Sequence, residues 1–206
     1  MLVDDHAMLR EGLRDKFAAA KDIKVQAEAG SGKEALSALA AHPADVVLMD
    51  ITLPDGNGID FMQTIKKKYP RCKVLMMTMY DKECYVARAL EQGADGYVVK
   101  GASFKELLEG VRQVAAGKRY VSSAIALRMD ARSKLTGPAP VIESLSPREF
   151  EVLIHLCKDS QPIKQIADEL GISLKSVSTY QTRLMKKLGL SSKPELIKFA
   201  VEAGVV

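Results

Sequence analysis

The chain has no Trp, five Phe, six Tyr and three Cys among its 206 residues. With so few aromatics, a core has to be assembled from aliphatic side chains, and a hydrophobic share of 47% beside 27% charged residues is ordinary for a folded protein. Cys72, Cys84 and Cys157 show neither CxxC spacing nor a neighbouring His cluster, so they are read as reduced thiols that fill space, not as metal ligands or a redox pair. Apolar runs are short. None approaches the roughly 18 residues needed to cross a bilayer. Acidic residues arrive already at Asp4 and Asp5, unlike a secretory signal. The chain is therefore expected to be cytoplasmic, with no membrane partner.

One sign of charge is missing from one place. The net charge is only +4, and residues 141–206 carry nine basic against eight acidic side chains. Yet the stretch from Lys175 to Lys187 contains Lys175, Arg183, Lys186 and Lys187 and no Asp or Glu. A focused positive stretch of helical length fits a polyanion better than a diffuse surplus would.

The length suits one full domain and one small one. Through the first 120 residues, short apolar runs at Met1–Val3, Ile23–Ala27, Val46–Met49, Val74–Met77 and Tyr97–Val99 alternate with segments of helical spacing. Those segments are marked by Leu9, Leu13 and Phe17, by Leu36 and Leu39, by Phe61 and Ile65, by Val86 and Leu90, and by Leu107, Leu108 and Val111. Parallel strands need crossover helices, so this pattern predicts a doubly wound α/β domain with a five-stranded parallel sheet over residues 1–120. Residues 121–143, with Ser133 to Pro140 at their centre and space for a short helix over Ala124–Lys134, read as a linker. Residues 144–206 read as a small all-α domain. It opens on Ser146-Pro147-Arg148-Glu149, an N-cap with Pro at the first helical position and a capping-box Glu.

Ligands of such sheets bind at the carboxyl ends of the strands. There the sequence places Asp4, Asp5, Asp50, Thr78 and Lys100. Each has a plain explanation: Asp4 or Asp5 as a helix cap before Ala7, Asp50 as a strand end before the Leu53-Pro54-Asp55-Gly56 turn. Together they suggest more. Converging carboxylates repel unless a cation sits among them, and Mg²⁺ with its preference for oxygen ligands answers that need. A carboxylate can attack phosphorus, and the charge on the transferring group then calls for metal, ammonium and hydroxyl donors around it. Gly30-Ser31-Gly32-Lys33 looks like part of a phosphate-binding loop, but Ala27 stands where the first Gly belongs and Glu34 where Ser or Thr would, so it is read as a turn into a helix.

Val3-Asp4-Asp5-His6, Met49-Asp50-Ile51-Thr52-Leu53-Pro54-Asp55-Gly56-Asn57-Gly58, Met77-Thr78 and Gly96-Tyr97-Val98-Val99-Lys100 resemble the receiver domain of two-component response regulators. The resemblance implies a flavodoxin-like fold and Asp50 as phosphoacceptor. It gives Mg²⁺ to Asp4, Asp5 and Asp50 with the backbone carbonyl of Thr52, and Thr78 and Lys100 to the phosphoryl group. Tyr97 becomes the aromatic that changes rotamer, its alternative being a plain strand aromatic packed on a helix. The first strand is shorter than the family pattern, and Gly101 follows Lys100 where many relatives have Pro.

In the second half, Ile163, Ile166, Ala167 and Leu170 share one helical face. Gly171-Ile172-Ser173 follows, and a second helix places Val177, Tyr180, Leu184 and Leu188 inward, which is a helix-turn-helix. Ser-Pro-Arg-Glu at 146–149, Lys-Gln-Ile-Ala at 164–167 and the run from Ile172 to Leu188 resemble the LuxR-type output domain, and with the receiver the NarL/FixJ subfamily. This implies double-stranded DNA and a sensor histidine kinase as partners, with Ser178, Thr179 and Thr182 facing bases and Lys175, Arg183, Lys186 and Lys187 facing phosphates. Tyr180 stands where many relatives have His, and Ile163 where Asn is frequent. The last helix, near Lys193–Ala203, is expected either to finish the core or to form a homodimer surface. No general acid accompanies Asp50 in sequence and no specificity insertion is present, so an enzyme acting on an external substrate is not expected.

Overall fold

The strand Val46–Asp50 (β3) is apolar at four consecutive positions, as a strand covered on both faces must be. Around it the computed structural model, which describes residues 1–79, 86, 89–123, 125–126, 145–157, 162–203 and 205, builds a parallel sheet. Leu2–Val3 (β1) pairs on one side with Glu28–Ala29 (β2) and on the other with β3. Lys73–Thr78 (β6) and Gly96–Val99 (β7) follow, then Tyr120–Val121 (β8) at the edge, giving the order β2-β1-β3-β6-β7-β8. Thr52–Leu53 (β4) and Gly56–Asn57 (β5) form a separate antiparallel hairpin where the sequence predicts a turn.

Two details depart from the expectation. The second strand pairs at Glu28–Ala29, downstream of the apolar run Ile23–Ala27, whose Ile23 and Val25 instead pack half-buried against the core. The sheet has six strands rather than five: Gly117, at a φ of 78°, turns the chain after its helix, and two residues of Tyr120–Val121 then pair with β7. A two-residue strand has no period to read.

Helices cover both faces: Ala7–Ala18 (α1), Gly32–Ala41 (α2), Gly58–Lys68 (α3) and Phe104–Ala115 (α4). On one face Leu13 and Phe17 of α1 and Leu107, Val111 and Val114 of α4 meet Leu2, Leu48, Leu75, Met77 and Val98 of the strands in a single buried cluster. Each such side chain contributes about 1.5–3 kcal/mol by leaving water. The segment marked by Val86 and Leu90 lies only partly within the described residues, where Val86 and Ala89 are buried and helical. The segments 127–144 and 158–161 and Cys84 lie outside the described residues, and with them most of the expected linker, of which residues 121–123 and 125–126 are described, and most of its short helix, of which 125 and 126 are.

The Gly30–Lys33 segment turns into a helix, as expected. Ser31 Oγ accepts from Glu34 N at 3.3 Å, while the carboxylate of Asp55 accepts from Gly32 N and Lys33 N, both at 2.9 Å. That carboxylate complements the positive helix start and ties the β4–β5 hairpin to α2. Asp55→Ala is therefore expected to lower stability by ~1–2 kcal/mol, read as a drop of several degrees in the melting of the first unit. A melting temperature equal to wild type would contradict this anchoring.

The chain divides into two units, Met1–Ala131 and Arg132–Val206. The second is helical: Pro147–Cys157 (α5), Ile163–Glu169 (α6), Leu174–Leu188 (α7) and Lys193–Glu202 (α8). The first of these starts on the expected capping box, with Ser146 Oγ accepting from Glu149 N at 3.3 Å and Glu149 Oε2 accepting from Ser146 N at 2.7 Å. Phe150, Leu153, Ile154, Ile166, Ala167, Leu170, Val177, Leu184, Leu196 and Ala200 form its buried interior. Ile163, expected on that inner face, is 38% exposed. It is the first residue of its helix and lies beyond the reach of the packed turn.

Candidate functional site

The strand order dictates where a ligand can sit. From β1 the chain moves first to β2 on one side, then to β3 on the other, so a crevice opens beyond the carboxyl ends of β1 and β3. Asp4 directly follows β1 and Asp50 ends β3, and both are almost wholly buried. Lys100, one residue past β7, reaches across them: its Nζ lies 2.6 Å from Asp50 Oδ2 and 2.7 Å from Asp4 Oδ2. Its backbone is fixed by donating from Lys100 N to Thr78 O at 2.7 Å, and the buried Thr78 ends β6. Gly101 after Lys100 has not displaced the ammonium.

Asp5 and His6 form the outer rim. Asp5 is exposed, and His6 Nδ1 lies 2.7 Å from Asp5 Oδ1 and 3.0 Å from Asp4 Oδ1. Asp4 caps no helix: α1 begins after His6 without a side-chain cap, and Asp4 Oδ1 instead accepts from His6 N at 2.9 Å. Arg10 donates to the Asp4 carbonyl and fixes that turn from the side. Asp50 Oδ1 accepts from Thr52 N at 3.3 Å, placing Thr52 beside the carboxylate. Tyr97 is fully buried on β7, with its carbonyl accepting from Ser122 N at 3.2 Å.

Burial pushes the Asp50 carboxyl up to about 6 even though Lys100 draws it down. Burial alone would lower Lys100, but Asp50 and Asp4 hold its ammonium above the ordinary lysine value. The pocket is thus short of positive charge: one ammonium serves two buried carboxylates. Ligand atoms of Asp4, Asp5, His6 and Asp50 all lie within 4.8 Å of one another, a set that could hold a metal ion. His6 is the residue the sequence pattern left without a role. Its only signal was its place next to two acids.

In the second unit α7 presents Lys175, Ser178, Thr179, Thr182, Arg183 and Lys186 to solvent, while Val177 and Leu184 are buried and Tyr180 and Leu188 half-buried. Ser173 caps it by accepting from Ser176 N at 3.1 Å, and Gly171 makes the preceding turn at a φ of 60°. The three hydroxyls donate back to their own helix: Ser178 to Leu174 O at 3.2 Å, Thr179 to Lys175 O at 2.8 Å and Thr182 to Ser178 O at 2.9 Å. Lys187, also exposed, differs from the other expected phosphate-facing cations in that its Nζ lies 2.6 Å from the buried Glu149 carboxylate. In α8, Leu196 and Ala200 are buried whereas Ile197 and Val201 are exposed.

A lysine-bridged acid pair at the switch point of a parallel sheet, in one chain with a helix-turn-helix, is the make-up of a signal-dependent transcription regulator. Residues 1–112 match the response regulator receiver domain, and residues 143–200 match the bacterial regulatory proteins of the luxR family. The chain belongs to the response regulators, as a phosphorylation-dependent, DNA-binding transcription regulator of the NarL/FixJ type. It is 33% identical over 209 residues to the response regulator UvrY of Escherichia coli O6:H1, covering 100% of this chain and 94% of that one. A crystal structure of a LuxR-family two-component response regulator from Aurantimonas is 34% identical with a TM-score of 0.62, covering 65% of this chain and 95% of that one. The fold is also shared, at 22% identity and a TM-score of 0.65, with RcsB of Salmonella enterica serovar Typhimurium, solved bound to promoter rprA in the presence of phosphomimetic BeF3⁻. That likeness covers 96% of this chain and 95% of the other. Among the described residues no helix is long and apolar enough to cross a membrane.

Proposed function

We propose that residues 1–120 form the receiver, residues 121–143 a linker and residues 144–206 the output domain of a cytoplasmic regulator, with Asp50 as the phosphoacceptor. The observation that carries this is the position of Lys100 Nζ, within 2.7 Å of both buried carboxylates at the switch point. Asp50 is the only one of the two whose backbone lies at a strand end beside the Thr52 amide, and its carboxylate oxygen forms the new bond to phosphorus as the P–N bond to the phosphohistidine of a sensor kinase breaks. Lys100 then exchanges the Asp50 charge for a phosphoryl oxygen, and Thr78 meets another. Tyr97 answers the movement of Thr78 from the neighbouring strand.

The donor set fits Mg²⁺: hard oxygens come from Asp4, Asp5 and Asp50, and the carbonyl of Thr52, whose amide donates to Asp50, would complete it. When bound, Mg²⁺ supplies positive charge to the oxygens of the transferring group. The reaction falls on the protein's own side chain, so no turnover of an external substrate is proposed.

On the output side, Ser178, Thr179 and Thr182 face the bases and Lys175, Arg183 and Lys186 the phosphates of double-stranded DNA. The exposed Ile197 and Val201 of α8 form the homodimer surface, which suits paired half-sites. Incubation with Mg²⁺ and a small acyl phosphate should add one phosphoryl group to the wild type, detected by mass, and none to Asp50→Asn. Treated wild type should also gain dimer mass and tighter binding to specific duplex. Equal phosphoryl uptake by the variant, or unchanged DNA affinity of the treated wild type, would sink the reading.

A further inference from the structure

Lys187 lies in the stretch without acids, in the last turn of α7, yet it is treated differently from its neighbours. Lys175, Arg183 and Lys186 are exposed and enter no ion pair among the described residues. Lys187 turns back to α5, where Glu149 Oε2 receives its ammonium at 2.6 Å and the Ser146 amide at 2.7 Å. The Glu149 side chain is only 4% exposed, whereas that of Lys187 is 42% exposed. Burial works against the Glu149 charge, but the bonds from Lys187 and Ser146 outweigh it and hold the carboxyl below its ordinary range. Taking the ammonium away would leave a buried carboxylate without its cation, which is the costly way to break such a pair.

We propose that Glu149 is a positioning residue that withholds Lys187 from DNA phosphates, so that α7 offers three phosphate-seeking cations and not four. The proposal rests on the DNA-binding reading of α7 and adds a restraint to it. Each phosphate neutralised by a cation steepens the dependence of log K on log salt by about 0.9, and that part of affinity carries no sequence information. Holding one lysine back trims binding to random DNA while leaving Ser178, Thr179 and Thr182 as they are. A capping-box residue thereby serves two purposes: it starts α5 and sets the charge that α7 presents.

The test is binding of the full chain to random duplex DNA, followed by fluorescence anisotropy across a fourfold range of salt. Lys186→Gln should flatten the slope by about 0.9, whereas Lys187→Gln should leave it at the wild-type value. Glu149→Gln keeps an oxygen for the Ser146 amide but removes the carboxylate charge that holds Lys187. Its slope should steepen by about 0.9, roughly a three- to fourfold larger affinity change over the salt range, and Glu149→Gln/Lys187→Gln should return to wild type. Glu202→Gln, the same charge change at an exposed site of α8, should not alter the slope. The proposal is overturned if Lys187→Gln flattens the slope as Lys186→Gln does, if Glu149→Gln leaves it unchanged, or if Glu202→Gln reproduces the Glu149 effect. Should Glu149→Gln fail to fold by circular dichroism, the comparison of the two lysine variants still decides. If wild type shows no salt-dependent binding and Lys186→Gln no change, the DNA-binding reading itself falls and takes this proposal with it.

Discussion

Gly58→Ala is expected to destabilise the first unit by ~3 kcal/mol or more and to abolish phosphoryl uptake at Asp50. A Cβ at position 58 would stand 1.8 Å from the carbonyl oxygen of Asp50, 2.9 Å from its carbonyl carbon and 3.1 Å from Ile51 Cα. All three are backbone atoms, so no side chain can rotate out of the way. Gly58 also donates to Ile51 O at 2.7 Å, which clamps the first turn of α3 against the strand end that carries Asp50. The added methyl must therefore move either the helix or the phosphoacceptor itself. Thermal melting should fall by roughly 10 °C or more. Gly101→Ala is the matched control, since nothing lies within 4 Å of a Cβ there although Lys100 is its neighbour. A Gly58→Ala protein that melts and takes up phosphoryl groups like the wild type would refute the close approach.

Asp50→Asn should have the opposite effect on stability. Without metal the folded state holds the Asp50 proton up to about pH 6, against 3.8 for the free side chain. The folded state therefore binds that proton more tightly than the unfolded one, and ionising Asp50 above pH 6 costs stability. The cost is fully present above the folded value and disappears as the pH falls toward 4. A displacement of this size corresponds to on the order of 2 kcal/mol for a group this deeply buried. In metal-free buffer at pH 7.5 the Asn variant should thus melt several degrees above wild type, with the gap closing between about pH 6 and 4. Added Mg²⁺ should narrow it by stabilising the wild type alone. A wild type more stable than the variant at pH 7.5 without metal would mean that Lys100 more than offsets the burial.

Much of this site could be read from the chain because it lies at strand ends. The apolar runs before Asp4, Asp50, Thr78 and Lys100 mark where each strand stops, and parallel topology brings those ends together, so the sequence alone groups four residues spread over nearly a hundred positions. What escaped depends on geometry that periodicity does not encode. The strand at Glu28–Ala29 is set by pairing with Leu2 and Val3, not by its own composition. Tyr120–Val121 becomes a strand only because β7 offers an open edge. His6 joins the acidic rim through a turn closed by Asp4 Oδ1. Lys187 looked like its neighbours in a charge count, and only the fold of α5 against α7 places Glu149, 38 positions away, beside it.

The hairpin carboxylate has a further consequence for the glycine-rich segment at 30–33. The amides of Gly32 and Lys33 point where a nucleotide phosphate would be cradled, but Asp55 already lies across both. The Phe61 ring fills the space beside Gly32, 2.1 Å from where a Cβ would stand. The chain is its own competitive inhibitor there: an incoming phosphate would have to evict an anion of the same chain that already accepts from both amides.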